Sequence, residues 1–526
     1  MLGNEAIVEG ALEAGVNFVS AYPGTPSSEI GNVFFKIASK NNLYFEFSTN
    51  EKVAIEAIIG ASFSGLKCLS AMKNFGMNVA LDSFLPFCYT GTKGPSVIVV
   101  ADDPSCWSSG QSEENSRGFA ELSHIPFLEP SDPQEAKEMT KLGFEISEKF
   151  KVPVILRITT RVAHQRMPVE VSGKRNKSFK KGKFVRNPEQ FITMPPRVLE
   201  MKEELLSKKN EIRKFAEKSS INFNLPGKGK TGIIVSGVSY LHLKEALSSL
   251  KIKMPVLKIG FFSPLPEEKI RKFASKMERI FVIEELEPYI EKSVRTICKA
   301  KVFGKDLLPI TGELNSEIIK EAILKLEGKK APKTEERRID LLKRLPRFCP
   351  GCPYWSVFSA IKKAAPKETV YGGDIGCYML SGLPPFKMQD YLFSMGSSIG
   401  IGHGVSKASN QKLISFIGDS TFFHAGIPAL INAVFNKSNP LVVVLDNRIT
   451  AMTGHQPNPG VEEENGSPAI KIEEIAKACG VKNVKVVDPI NLEKLQGAVK
   501  EFLAKEEVSL IVARRVCALL AKRQKK

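Results

Sequence analysis

Two short motifs late in the chain carry the residue types of a metal–diphosphate clamp. Gly418-Asp419-Ser420 closes the apolar run Leu413-Ile414-Ser415-Phe416-Ile417, and Asp446-Asn447 closes Leu441-Val442-Val443-Val444-Leu445. The gap between them holds one helix and a return strand, so the runs read as neighbouring parallel strands of a βαβ unit. Asp419 and Asn447 then meet at the carboxyl ends of those strands, where open α/β sheets bind ligands. A carboxylate and an amide oxygen suit a magnesium ion shared with a diphosphate. An ordinary turn and helix cap uses the same residues, and the motif alone leaves that alternative open.

The pair is similar to the pattern of thiamine-diphosphate enzymes, which implies carbanion chemistry on a 2-oxo acid. That chemistry needs a buried carboxyl against the ring nitrogen of the aminopyrimidine. Glu51 is the candidate, opening a helix whose Ala54, Gly60, Ala61 and Gly65 allow close packing. A glutamate at this position also complements a helix dipole with no further role. Glu51 and Asp419 lie in different parts of the chain, so the cofactor is expected to bridge two domains.

The cysteines suggest a second site. Cys349-Pro350-Gly351-Cys352 is a tight turn between two thiols, Cys377 ends Gly373-Asp374-Ile375-Gly376-Cys377, and Cys517 follows a strand near the C-terminus. Four thiols from separate loops can bind zinc or hold an iron–sulfur cluster, and spacing alone does not choose. Proximity to a thiamine site favours the redox cluster. Cys479, at a helix end, is the rival fourth ligand. Cys68, Cys88 and Cys298 read, like Cys479, as core filler, while Cys106 sits beside Trp107 in a polar loop.

Further candidates stand at strand ends. Tyr22-Pro23-Gly24-Thr25-Pro26-Ser27-Ser28-Glu29 forms a turn in which Ser27 or Ser28 is expected to cap the next helix. Thr25 is placed to donate to a substrate carboxylate, and Lys73, in Met72-Lys73-Asn74-Phe75-Gly76, to attract an anionic substrate or coenzyme; a solvated lysine reads the same. Arg157, Arg161 and His164 occupy a comparable position. His424 and His455 flank the diphosphate motifs and are expected to be structural.

These residues need sheets to carry them. A chain of 526 residues with 43% apolar and 25% charged residues holds about three soluble α/β domains. Strand patterns at 17–21, 44–47, 68–72, 96–101 and 154–158 alternate with helices such as 4–14 and 133–149, predicting a doubly wound domain over 1–165. Residues 166–228, with a Lys-rich loop at 174–183 and a charged helix at 197–218, read as a surface connector. A second α/β domain spans 229–327 with strands at 232–236, 255–259 and 280–283, a charged linker spans 328–346, and a third domain spans 347–526. No apolar run reaches the roughly 18 residues of a membrane span and no signal peptide is visible, which makes the cytoplasm the default location. The net charge of +18 raises nucleic acid as a partner, but aromatic residues are not interleaved with the lysines as base stacking requires. Solvated surface, or steering of an acidic electron carrier, fits better.

Together the segments at 2–7, 22–30, 50–52, 72–82, 129–133, 349–353, 374–377, 418–423 and 445–456 resemble the large subunit of indolepyruvate ferredoxin oxidoreductases, in the 2-oxoacid:ferredoxin oxidoreductase superfamily. The resemblance implies first and third domains that bind the pyrimidine and diphosphate ends of thiamine diphosphate, with a transketolase C-terminal-like domain between. It implies oxidative decarboxylation of a 2-oxo acid, an aryl pyruvate such as indolepyruvate being favoured, with coenzyme A accepting the acyl group and ferredoxin the electrons. Glu51 matches the activating glutamate. Asp419, Asn447 and the carbonyl of Ile449 match the Mg2+ ligands, with Gly418 and Ser420 beside them at the cofactor. Cys349, Cys352, Cys377 and Cys517 match the ligands of one [4Fe-4S] cluster. The implied partners are a smaller beta subunit, in a hetero-oligomer such as a dimer of heterodimers, and ferredoxin, with no nucleic acid and no membrane.

Three departures qualify what the resemblance implies. The chain stops shortly after Cys517, where many members continue into a ferredoxin-like domain with clustered cysteines, so electrons are expected to leave the single cluster directly or through a separate subunit. Tyr354-Trp355 replaces the usual histidine after the Cys-Pro-Gly-Cys-Pro turn. Cys106-Trp107 stands where a small residue and histidine are usual. The alternative reading is a non-oxidative thiamine-dependent decarboxylase or synthase whose cysteines hold zinc or nothing.

Overall fold

The chain, as a computed structural model, is described over residues 1–173, 181–330, 345–462 and 466–524. It divides into two compact units, Met1–Glu336 and Arg337–Lys526. Among the described residues no helix is long and apolar enough to cross a membrane.

The strands of the first unit, in chain order, are β1 Phe18–Ala21, β2 Tyr44–Phe47, β3 Cys68–Lys73, β4 Ser96–Asp102, β5 Phe127–Leu128, β6 Val154–Thr159, β7 Phe223–Leu225, β8 Thr231–Ser236, β9 Val256–Ile259, β10 Phe261–Ser263, β11 Arg279–Ile283 and β12 Lys301–Phe303. They form a seven-stranded sheet in the order β10-β5-β6-β4-β3-β1-β2 and a five-stranded sheet in the order β12-β11-β8-β9-β7. Every residue of β4 and β6 is buried, as expected for parallel strands covered by helices on both faces. In the first sheet the chain leaves β1 toward β2 at one edge and leaves β3 toward β4 in the other direction. The crevice between β1 and β3 is therefore a topological switch point. Tyr22-Pro23-Gly24-Thr25 follows one of these strands, and Lys73 ends the other.

The α/β class with doubly wound sheets holds, and the structure also joins elements that sequence patterns keep apart. β10, from the middle segment, pairs antiparallel with β5 of the first sheet. One continuous core runs from Ile155 and Phe127 to Phe261, Phe273 and Ile290. Within 166–228, expected as a surface connector, part of the chain is buried. Met201, Leu205, Ile212 and Ala216 of helix Arg197–Lys218 are buried, and β7 joins the second sheet antiparallel to β9. A helix so rich in lysine and glutamate shows only a narrow apolar stripe, which hides its packing role. Positions 174–180 of the Lys-rich loop and 331–344 of the charged linker lie outside the described residues.

In the second unit, β13 Val370–Gly372, β14 Leu413–Gly418, β15 Leu441–Asp446, β16 Asn483–Val487 and β17 Ser509–Arg514 form a parallel sheet in the order β13-β14-β15-β17-β16. Its two faces bury separate cores. Val443, Leu445 and Phe416 pack with helix Tyr354–Ala364, whereas Val442, Val444 and Ile417 pack with Leu430 and Ile472. This two-sided burial is why β14 and β15 read as unbroken apolar runs rather than alternating ones.

Candidate active site

In the first unit, Asn50 caps helix Glu51–Phe63 by accepting from the Val53 N–H at 2.9 Å, which fixes Glu51 in the first turn. Glu51 is only 6% exposed. Its carboxyl lies against the backbone of Gly76, where a Cβ would stand 2.5 Å from Glu51 Cγ and 2.7 Å from Oε1. Gly76 thus leaves the space that the Glu51 side chain occupies, a role that local sequence does not reveal.

Lys73 ends β3. Its Nζ donates to the Ser108 carbonyl at 2.9 Å and stands 5.0 Å from the Phe75 ring centroid. Burial pulls its pKa down to about 8, against the attraction of Asp103 and Glu114. The Ser108 hydroxyl donates to the Thr25 carbonyl at 3.2 Å, so Thr25, Lys73 and the loop after β4 share one corner of the switch-point crevice. Asp103 organises that loop, accepting from Ser108 and Ser109 and, at 2.6 Å, from the Thr160 hydroxyl. Burial would raise the Asp103 pKa, but these hydrogen bonds outweigh it and hold the pKa low.

The expected serine cap does not form. Ser27 Oγ donates back to the Gly24 carbonyl at 2.8 Å, and helix Ser28–Ile37 has no side-chain cap. The turn's own carbonyl competes for that hydroxyl. Arg157 is buried in an ion network, with Nε 2.7 Å from Asp102, and this network also holds Arg117, Glu129 and Glu284. Arg161 pairs with Glu313 at 2.7 Å, and His164 lies 3.5 Å from Glu29.

In the second unit, the parallel register of β14 and β15 pairs Gly418 with Leu445, which sets Asp419 and Asn447 at neighbouring strand ends. Asp419 is 4% exposed. Burial, and after it the nearby Asp446 carboxylate, pushes its pKa up to about 7. Its Oδ1 accepts from the Ser420 N–H at 2.8 Å and its Oδ2 from Asn458 Nδ2 at 3.1 Å. Asn458, itself buried, was not singled out in the sequence. Asn447 Oδ1 accepts from the Ile449 N–H at 3.1 Å. A buried carboxylate that has no cationic partner among the described residues, beside amide and carbonyl oxygens, is a donor set suited to a hard cation.

The thiols converge on the same end of the sheet. The Cys517 N–H donates to the Asn447 carbonyl at 3.0 Å, which ties the last cysteine directly to the diphosphate motif. Gly351, at φ +79°, supplies the left-handed residue that turns Cys349 back to Cys352. Burial pushes Cys352 up to about 12, with Cys377, Cys349 and Cys517 adding to the rise. Burial likewise raises Cys377 to about 11, with Cys517, Cys349 and Asp419 contributing. Cys479 is absent from both sets of neighbours. Among the described residues no group of three or more His, Cys, Asp or Glu side chains is arranged to hold a single metal ion. His455 Nε2 stands 4.0 Å from Cys517 Sγ, and burial lowers its pKa; His424 is buried. Asp374 fastens the cysteine loop, accepting from the backbone N–H groups of Ile375, Gly396 and Ser398 at 2.7, 2.9 and 3.0 Å. Even so, burial raises Asp374 to about 6.

Comparison with known proteins matches both halves. Residues 9–215 fit the family model for the thiamine-diphosphate-binding part of pyruvate flavodoxin/ferredoxin oxidoreductases, and residues 374–513 fit the C-terminal TPP-binding domain of thiamine pyrophosphate enzymes. An indolepyruvate oxidoreductase subunit IorA of Methanothermobacter thermautotrophicus is 44% identical, covering 99% of this chain and 87% of its own length. The IorA subunit of Pyrococcus abyssi is also 44% identical, covering 99% and 85%. Among solved structures, a 2-oxoglutarate:ferredoxin oxidoreductase from Magnetococcus marinus shares the fold with TM-score 0.50 at 18% identity, over 62% of this chain and 64% of that one. The fold and these matches define an oxidoreductase built on thiamine-diphosphate-binding domains. Within that class, the chain belongs to the indolepyruvate oxidoreductase subunit IorA family.

Proposed function

We propose that the chain is the large subunit of an indolepyruvate-type 2-oxoacid:ferredoxin oxidoreductase. The reaction breaks the bond between the carboxyl and keto carbons of an aryl pyruvate, releases carbon dioxide, forms a thioester with coenzyme A and passes two electrons to ferredoxin. The observation that carries this reading is the convergence of four thiols and Asp419 in one charge field, with Cys517 hydrogen-bonded to Asn447.

Thiamine diphosphate, when bound, supplies a carbon that stabilises the developing carbanion, and an iron–sulfur cluster supplies a one-electron exit. Asp419, the Asn447 amide oxygen and the Ile449 carbonyl would hold Mg2+ on the diphosphate, with Gly418 and Ser420 beside it. Asn458 orients Asp419 through its amide. The buried Glu51 carboxyl would hydrogen-bond the aminopyrimidine ring, and Thr25 and Lys73 would bind the substrate carboxylate. A buried amine whose pKa is lowered to about 8 keeps its charge at neutral pH.

Cys349, Cys352, Cys377 and Cys517 would hold one [4Fe-4S] cluster. A single zinc draws four sulfurs to about 3.8 Å of one another, because each lies about 2.3 Å from the metal. Four thiols from separate loops, within one another's charge field beside a thiamine site, suit a larger, multi-iron body better. The relatives' designation as a subunit supports a partner chain, the smaller beta subunit, in a hetero-oligomer such as a dimer of heterodimers. The test is anaerobic co-expression with that subunit and assay of a panel of 2-oxo acids with coenzyme A and ferredoxin. The expected result is acyl-CoA and reduced ferredoxin from aryl pyruvates; carbon dioxide with aldehyde and no acceptor reduction overturns it.

A further inference from the structure

We propose that the cleft beside Trp107 seats the aromatic side chain of the substrate, a planar ring one methylene away from a 2-oxo acid. This inference rests on the oxidoreductase reading above and adds the specificity site.

The cleft has a volume of about 600 Å3 and lies within the first unit, with Trp107, Arg161, His164, Val238, Leu241 and His242 in its walls. That volume is in the range of small-molecule sites. It opens beside the carboxyl ends of β4, β6 and β8, from which the loop of Trp107, helix Thr160–His164 and helix Ser239–Leu250 continue. Trp107 is 64% exposed, an indole face left to water. One cation lies against the ring. The Arg161 guanidinium stands 5.9 Å from the ring centroid and is locked by two hydrogen bonds to Glu313, at 2.9 and 2.7 Å.

The loop that presents Trp107 is strained and pinned. Ser105 and Cys106 take φ values of +65° and +52°, a conformation that non-glycine residues adopt at some expense in energy and that recurs at functional sites. Glu113 Oε1 accepts from the Ser105 and Gly312 N–H groups, at 2.6 and 2.9 Å, and Ser105 Oγ accepts from the Glu313 N–H at 2.8 Å. The fold thus pins the backbone that presents an exposed aromatic residue.

The cleft adjoins the residues proposed for the carboxylate. Ser108, next in the chain after Trp107, contacts Lys73 Nζ through its carbonyl and the Thr25 carbonyl through its hydroxyl. Asp103 ties this loop to Thr160 in the cleft wall. A ligand with its ring on Trp107 therefore directs a carboxylate carried a few bonds away toward Thr25 and Lys73. A phosphate-bearing ligand fits less well, because the cations in the wall are engaged. Arg161 is paired with Glu313 and His164 with Glu29, and burial holds His242 toward its neutral form.

The chain has two tryptophans, and the other, Trp355, belongs to the second unit. In the full chain carrying Trp355→Phe, Trp107 is the sole tryptophan emitter. Titration with 3-phenylpropionate, a non-reactive arylpyruvate analogue, should quench that emission saturably, with affinity about tenfold above that of 4-methylpentanoate. Calorimetry on Trp107→Leu, which needs no second substitution, should show about a tenfold loss of 3-phenylpropionate affinity, and less than about twofold for the aliphatic acid. With turnover, the same variant should raise KM for phenylpyruvate relative to 4-methyl-2-oxopentanoate by about tenfold. Equal binding of the two acids, or unchanged aryl affinity in Trp107→Leu, overturns the proposal. Ring-selective binding without oxidation of any 2-oxo acid supports the cleft and overturns the oxidoreductase reading.

Discussion

Gly76→Ala tests the placement of Glu51 from the residue packed against its carboxyl. The added Cβ would lie 2.5 Å from Glu51 Cγ, 2.7 Å from Oε1 and 2.9 Å from Cδ, whereas ordinary contacts begin near 3.4 Å. Either the Glu51 side chain or the start of helix Asn74–Thr90 must therefore yield by roughly an ångström. Overpacking of this kind costs about 1–3 kcal/mol of stability. A displacement of about 1 Å in a positioned group costs on the order of 100-fold in rate. Calorimetric unfolding and steady-state turnover of the assembled enzyme measure the two effects separately. In a Glu51→Ala background the clash partner is gone, so Gly76→Ala should lose most of its stability penalty, a coupling of about 1–3 kcal/mol, without regaining activity. Full turnover in Gly76→Ala, or the same stability loss in both backgrounds, refutes the placement.

Other expectations follow from the second unit and from the buried charges of the first. Cys517→Ser should lose iron and Cys479→Ser should retain it; the reverse pattern assigns the fourth ligand to Cys479. Asn458→Ala removes the amide that orients Asp419 and should weaken Mg2+ binding about 10- to 100-fold by titration calorimetry, while unchanged affinity removes Asn458 from the site. Burial pushes Glu285 from its usual 4.5 up to about 7. Its protonated form stabilises the fold fully below the unfolded value, and that stability is lost as pH rises through 7, by roughly 3 kcal/mol in all. Glu285→Gln keeps an acceptor for the Leu314 N–H and should flatten this part of the curve; an unchanged slope between about pH 5 and 7 in thermal unfolding contradicts the assignment.

The strands that carry the site were legible because parallel strands buried on both faces leave unbroken apolar runs, as in β14 and β15. Helix Pro133–Phe150 was equally plain, with Asp132 as cap and proline at its first position. What escaped depends on long-range packing. Nothing local marks Phe261–Ser263 as the partner of Phe127–Leu128, or shows that a helix as charged as Arg197–Lys218 is built into the core. The same holds within the site. Asp419, Asn447 and the cysteines announce themselves by type and spacing, whereas the packing of Gly76 on Glu51 and the reach of Asn458 to Asp419 and of Asp374 to Gly396 and Ser398 join distant segments. The Ser27 cap failed because the turn's own carbonyl, at Gly24, captured the hydroxyl. Trp107 stood out in sequence as a departure from the family pattern, and the cleft beside it needed the second sheet to appear.

The second unit is proposed to carry both a diphosphate-binding site and a cluster-holding set of thiols. The most direct measurement is iron, acid-labile sulfide and zinc per chain after strictly anaerobic purification, repeated on Cys377→Ser. About four irons and four sulfides per chain are expected, and both should be lost in the variant. One zinc per chain, or iron content indifferent to Cys377, contradicts that proposal.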